Sequence, residues 1–272
     1  MLFLILLAAL SPESQKWNAP VAPFRIAGNV YYVGAVEVSS FLIVTSKGLI
    51  VLDGGFEETA PMIEANIRKL GFDPAQVRIL LSSHAHFDHA GGLKKLRDDT
   101  GARFYASEGD APLLARGGKD DPQFGDRFLF PAIVPDVLVK DGDRVTLGDT
   151  TLVAHITPGH TPGCTTWTMK VRDGGKSYDV VFVGSPSVPS EYRLIGNAKY
   201  PNAVDDYRRQ FATLESLPCD IFLASHGPMF GLAEKVAKGS FVDPDGYKKF
   251  VARMKAAFEA RVKQEWTKTS SR

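Results

Sequence analysis

One run of residues constrains this chain more than any other. Ser83-His84-Ala85-His86-Phe87-Asp88-His89 sets three imidazoles and a carboxylate between positions 84 and 89, half of the six histidines in a sequence of 272 residues. The apolar segment Val77-Arg78-Ile79-Leu80-Leu81 precedes it and reads as a buried strand, and Gly91-Gly92 comes next at the opening of a helix. A strand that ends in a ligand-dense turn presents its side chains from a rigid support. Imidazole and carboxylate with no thiolate nearby suit zinc or a similar borderline divalent ion.

Two further histidines share that grammar. His160 sits at the centre of Thr157-Pro158-Gly159-His160-Thr161-Pro162-Gly163, a turn whose Pro and Gly residues restrict the backbone and aim the ring. Ser225-His226-Gly227-Pro228 comes directly after the apolar run Ile221-Phe222-Leu223-Ala224. Five histidines and one aspartate suffice for two sites of three protein ligands each, and three ligands leave a catalytic zinc an open position. His84 and His86 fall on one side of an extended turn and can share an ion, while Asp88 and His89 point to the neighbouring position. His155 lies inside the strand signal 152–156 and reads as structural.

Strand signals come at 24–26, 30–33, 41–44 and 49–52, the last two as a hairpin through Ser46-Lys47-Gly48 that ends at Asp53-Gly54-Gly55. Helical periodicity covers 58–70, closed by Gly71, and 93–99; Ser107 is expected to cap a helix to about Ala115. The stretch Arg116 to Pro135 carries Phe124, Phe128 and Phe130; it suits a binding loop or an insertion packed on the surface. The second half repeats the pattern, with strands at 145–147, 151–153, 165–169, 180–183 and 221–224. A helix is expected at 205–217, and another from Asp243-Pro244 to about Trp266. Two strand-rich halves with flanking helices predict two sheets packed face to face with helices outside.

A net charge of +1 gives no basic surface for nucleic acid or for an acidic membrane. Hydrophobic residues at 44% and charged residues at 23% are ordinary for a domain with a sizeable core. The first ten residues, MLFLILLAAL, are too few to span a bilayer but match the apolar region of a secretory signal, without its usual basic leader. Residues 1–14 are therefore expected to be a signal peptide, whole or truncated. Residues 15–272 are then a single domain in a periplasm, with no stable membrane association after signal removal. Cys164 and Cys219 lack the spacing of a thiolate zinc site and read as small buried thiols.

His84-x-His86-x-Asp88-His89, Gly159-His160-Thr161 and the strand-end His226 together resemble the metallo-β-lactamase superfamily over nearly the whole chain from Val21. The resemblance implies an α/β fold, a four-layer αβ/βα sandwich of two mixed sheets, with a two-zinc site at one edge. Many hydrolases of the superfamily carry a bridging aspartate after the strand at 180–183, and the first β-lactamase subclasses have a zinc-binding cysteine in that region. Here Gly184-Ser185-Pro186-Ser187 supplies neither. That feature resembles the third subclass (B3), as do Gly163-Cys164-Thr165-Thr166-Trp167, Gly196-Asn197 before Tyr200-Pro201, Tyr207-Arg208-Arg209-Gln210-Phe211, and Leu217-Pro218-Cys219-Asp220. Members of that subclass often pair the last of these cysteines with one further on; no cysteine comes after Cys219 here.

The resemblance further implies two Zn2+ per chain, one on His84, His86 and His160 and the other on Asp88, His89 and His226. Ser185 and Ser187 match positions that bind a substrate carboxylate, directly or through water. The implied activity is hydrolysis of the β-lactam ring amide of penicillins, cephalosporins or carbapenems by a zinc-bound hydroxide, in a monomer. Two alternatives stand beside it: a thioester or lactone hydrolase on the same metal core, and a non-enzymatic zinc-binding protein with a decayed site.

Overall fold

Apolar, β-branched and aromatic runs between Gly and Pro punctuation form twelve strands among residues 11–270, which are the residues described by this computed structural model. The apolar segment at 1–10 lies outside them. Helix α1 (Pro12–Trp17) precedes the first sheet and spans the expected signal boundary. The sheet runs β1 (Phe24–Ala27), β2 (Val30–Tyr32), β3 (Phe41–Thr45), β4 (Gly48–Leu52), β5 (Val77–Leu81), β6 (Arg103–Ser107) and β7 (Val137–Val139), in chain order. Pairing is antiparallel as far as β4 and parallel from β4 to β7. Each parallel step needs a crossover. These pass through α2 (Ala60–Lys69), then the ligand-bearing turn α3 (Phe87–Ala90) with α4 (Leu93–Thr100), then α5 (Ala111–Ala115).

The second sheet has the order β12 (Ile221–Ala224), β11 (Lys176–Val183), β10 (Thr165–Asp173), β9 (Thr150–Ile156), β8 (Arg144–Leu147). Helix α6 (Ala203–Ser216) links β11 to its parallel neighbour β12; α7 (Leu232–Lys238) and the long α8 (Pro244–Ser270) come last. The period-2 alternation of a strand sorts the side chains between two cores. Ile79 and Leu81 of β5 face the other sheet with Phe41, Trp167 and Phe182, whereas Leu80 faces Ile63, Ile67, Leu93 and Leu96 on the helices. Phe41 meets Phe182 edge to face at 5.1 Å, and α8 covers the far side of the second sheet through Phe222–Phe250 at 4.7 Å. Each such fully buried side chain contributes about 1.5–3 kcal/mol over an exposed one.

The expected sandwich is therefore present, with local corrections. Ser107 belongs to β6, and Asp110 stands at the N-cap of α5. The helix expected at 58–70 is a 3-10 turn (Glu57–Thr59) continued by α2, because Pro61 suits the first turn of a helix. The short elements α3, β7 and α7 carry too few residues for a periodic signal, and α8 extends beyond Trp266.

Candidate metal centre

β4, β5, β11 and β12 end on one edge of the sandwich, and the loops leaving them turn into a common space. Asp53 comes after β4, His84 to His89 after β5, Ser185 after β11 and His226 after β12; His160 arrives on the β9–β10 turn. The two sheets are stitched there by Thr165 N donating to Ser83 O at 2.7 Å and Trp167 Nε1 donating to Ser82 O at 3.0 Å. Gly54 and Gly92 let the Asp53 turn and the start of α4 touch: a Cβ on Gly92 would lie 2.2 Å from Gly54 O. Glycine is needed at Gly92 for space, since its φ of −82° suits any residue. Gly159, with φ +139°, needs it for conformation as well, and Tyr207 packs where a Cβ would point.

All six residues expected as ligands meet in this space. Ligand atoms of His84, His86 and His160 lie within 4.8 Å of one another, with His86 Nδ1 3.0 Å from His160 Nε2. In the second group Asp88 Oδ2 lies 3.3 Å from His89 Nε2 and 3.4 Å from His226 Nε2, and the two nitrogens are 3.1 Å apart. A tetrahedral zinc with bonds of about 2.0–2.1 Å separates its ligand atoms by roughly 3.3–3.4 Å. The Asp88, His89 and His226 distances therefore match a zinc site, as does the close His86–His160 pair of the first group; His84 lies within 4.8 Å of the ligand atoms of Asp88 and His89 as well, so it stands between the two groups. Imidazole nitrogens converging at about 3 Å with no proton to share between every pair are what a cation resolves. The rings of His84 and His89, 4.2 Å apart, set the two groups side by side. His155 stands outside, half-buried, with Nε2 2.9 Å from Thr168 Oγ1.

The ring nitrogens of His160 and His84 turned away from the first group have hydrogen-bond partners that select the tautomer, while those of His86 and His89 face carboxylates beyond hydrogen-bond distance. His160 Nδ1 donates to Ser187 O at 2.9 Å, His84 Nδ1 lies 3.0 Å from Ser83 Oγ, His86 Nε2 faces Asp121 Oδ2 at 3.6 Å, and His89 Nδ1 faces Asp53 Oδ2 at 3.6 Å. Burial first, and then neighbouring imidazoles, hold His84 and His160 well below the usual histidine range and push His226 down to about 4. Neutral rings are the form that binds metal. Burial would lower His89 too, but the Asp88 charge and contacts with Asp53 and Asp88 raise it to about 10. Burial would raise Asp88; the charge of His89 outweighs it and holds the carboxyl well below its usual range.

Ser185 is buried and Ser187 partly exposed, with their hydroxyls 3.1 Å apart, so Ser187 faces the opening and Ser185 stands behind it. Phe124 of the stretch 116–135 packs on His86 at 5.2 Å, and Phe128 stacks on Phe87 at 4.6 Å, which places this stretch at the mouth of the site. Opposite, Trp17 meets His226 edge to face at 6.0 Å, and Val38 bridges to His226. Three residues at the site escape a reading of the sequence. Asp53 could be noticed as a carboxylate at a strand end; Asp121 and Tyr192, which donates to His160 O at 2.8 Å, have no local signal. Both cysteines are free thiols, Cys164 buried with its sulfur accepting from Ser185 N.

Residues 33–226 match the family model of the metallo-beta-lactamase superfamily. The chain belongs to that superfamily. Among solved structures it is similar to native FEZ-1 metallo-beta-lactamase from Legionella gormanii, at 44% identity and TM-score 0.90 over 92% of this chain and 98% of that one. It is also similar to BJP-1, a subclass B3 metallo-beta-lactamase of Bradyrhizobium japonicum, at 39% identity and TM-score 0.88, over 94% and 98% of the two chains. A more distant curated relative is an N-acyl homoserine lactonase from a Bacillus species, 27% identical over 47% of this chain and 56% of its own length. The two solved structures share the family that the motifs resemble, and BJP-1 the subclass.

Proposed function

We propose that this protein is a zinc-dependent β-lactamase of the third subclass, which opens the β-lactam ring amide with two zinc ions per chain. The observation that carries the reading is the pair of adjacent three-donor groups beside a serine, Ser185, at the end of β11. His84, His86 and His160 hold one ion in this reading, and Asp88, His89 and His226 the other. Bound zinc supplies Lewis-acid polarisation of a carbonyl and lowers the pKa of a coordinated water to about neutral. Asp88, the carboxylate of the six, orients the attacking water. Ser187 donates a hydrogen bond to the substrate carboxylate, and Phe124 and Phe128 shield the reacting ring from solvent. Ser185 stays buried behind Ser187 and forms no covalent intermediate.

The likeness to FEZ-1 and BJP-1 over more than nine-tenths of the chain supports β-lactams as substrates, and serine in place of an aspartate after β11 counts against a thioester or lactone. We extend the same reading, by family analogy, to a monomer, and on the strength of the apolar residues 1–10 to export into a periplasm. Among the described residues no helix is long and apolar enough to cross a membrane. The test is a panel of nitrocefin, a carbapenem, S-lactoylglutathione and a homoserine lactone. Hydrolysis of the first two, abolished by EDTA and restored by zinc, is expected; undiminished activity after metal stripping, or preference for the last two, overturns it.

A further inference from the structure

We infer that Asp110 is the positioning residue of the first ligand group: its carboxylate locks the His84–His86 loop to the His160 loop in ligating register. Asp110 occupies the N-cap of α5, where an aspartate ordinarily accepts from the amides of its own helix. Here it makes no such bond. Both oxygens turn away to other parts of the chain. Oδ2 accepts from Ala85 N at 2.9 Å and from Thr161 Oγ1 at 2.7 Å, and Oδ1 accepts from Gly163 N at 2.7 Å. Ala85 lies between the ligands His84 and His86, and Thr161 is next to the ligand His160. One carboxylate thus spans both loops that supply the first group.

The contact is built tightly. Asp110 is 1% exposed, and its acceptors meet amides and a hydroxyl, not a guanidinium or an ammonium. Ser107 Oγ donates to Gly163 O at 2.6 Å, and a Cβ on Gly163 would lie 2.2 Å from Asp110 N. A carboxylate desolvated without a cation is unfavourable unless its hydrogen bonds are held in place. Ending the helix with an uncharged cap would be simpler. What the buried aspartate adds is a fixed distance between two loops that are far apart in the chain, and with it a preorganised metal site. This inference rests on the zinc reading above.

The test measures zinc affinity on the full chain, by competition with a chromophoric chelator, together with the Co2+ ligand-field spectrum. His226→Ala, which disables the second group, serves as the background that isolates the first. Asp110→Asn in that background is expected to weaken zinc about 10–100-fold and to shift the Co2+ bands, because the new NH2 faces a former donor. Thr161→Val, which removes one of the three bonds, is expected to weaken zinc about fivefold. A purely structural role would lower the unfolding midpoint equally with and without zinc and leave the affinity alone. Zinc bound within twofold of the background by Asp110→Asn overturns the inference; should that variant not fold, an unchanged affinity for Thr161→Val overturns it. If the His226→Ala background itself binds no zinc, the zinc reading falls, and this inference with it.

Discussion

Ser185 and Ser187 share a sequence motif but not an environment. Ser187 is reachable from the opening, and its carbonyl oxygen accepts from His160 Nδ1 and from Tyr207 OH at 2.6 Å; Ser185 is enclosed behind it. In the β-lactamase reading proposed above, the direct contact with substrate therefore falls to Ser187. Ser187→Ala is expected to raise KM for a carbapenem about 5–10-fold with kcat changed by less than about threefold, as for loss of one hydrogen bond to a charged group. Ser185→Ala is expected to do less. Steady-state kinetics of both variants check this; the reverse ranking, or a collapse of kcat in Ser185→Ala, would contradict it.

At the scale of elements, the aromatic stretch 116–135 is held by the loop after β11, whose residues it meets across the opening. Asn197 Nδ2 donates to Pro122 O at 2.9 Å and to Gln123 Oε1 at 3.2 Å, and Arg193 N donates to Gln123 Oε1 at 3.0 Å. An exposed ion pair, Lys199–Asp120, adds little. This clasp fixes Phe124, which touches both His86 and Tyr192. Asn197→Ala weakens it by two hydrogen bonds, each about 1 kcal/mol, and leaves the Arg193–Gln123 contact in place. The expected result is a KM about 5–20-fold higher with kcat little changed and the zinc content equal to that of the parent chain. Loss of zinc from this variant would show that the clasp supports the metal ligands and not the mouth.

The whole molecule carries an opposed set of titrations at one edge. His84, His160 and His226 are depressed by burial, so below about pH 6.5 the unfolded chain binds protons that the folded one refuses. Stability from these groups is full above about pH 6.5 and falls as pH drops, for His226 toward about 4. His89 is raised, so its contribution is full below about pH 6.5 and is lost as pH climbs toward about 10. The metal-free protein should therefore be most stable near neutral pH. In the two-zinc reading a metal ion on His89 would take the place of that proton and remove the alkaline loss. Urea unfolding between about pH 4 and 10, with chelator and with zinc, tests this: a metal-free stability that rises steadily across that range would contradict it.

The six ligand candidates are legible from the chain because their signal is local. His-x-His-x-Asp-His is a spacing, and His160 and His226 each come after a strand and sit in a Gly/Pro turn. The two-sheet architecture is legible for the same reason, since strand periodicity is also local. Chain order alone, however, says nothing of which groups stand behind the ligands. Asp53, Asp110 and Asp121 come from three separate loops, and only the pairing of β4, β5 and β6 within the first sheet, with the 116–135 stretch folded over its edge, brings their carboxylates to Ser83 N, Ala85 N and His86 Nε2. Asp110 even sits where a local rule assigns it a helix cap. Residue type and spacing thus establish which side chains are able to bind a metal. Spacing also separates His84 and His86 from Asp88 and His89, but which of those pairs His160 and His226 join, and what holds each ring in place, is set by packing, because the contacts concerned join residues with no common periodicity.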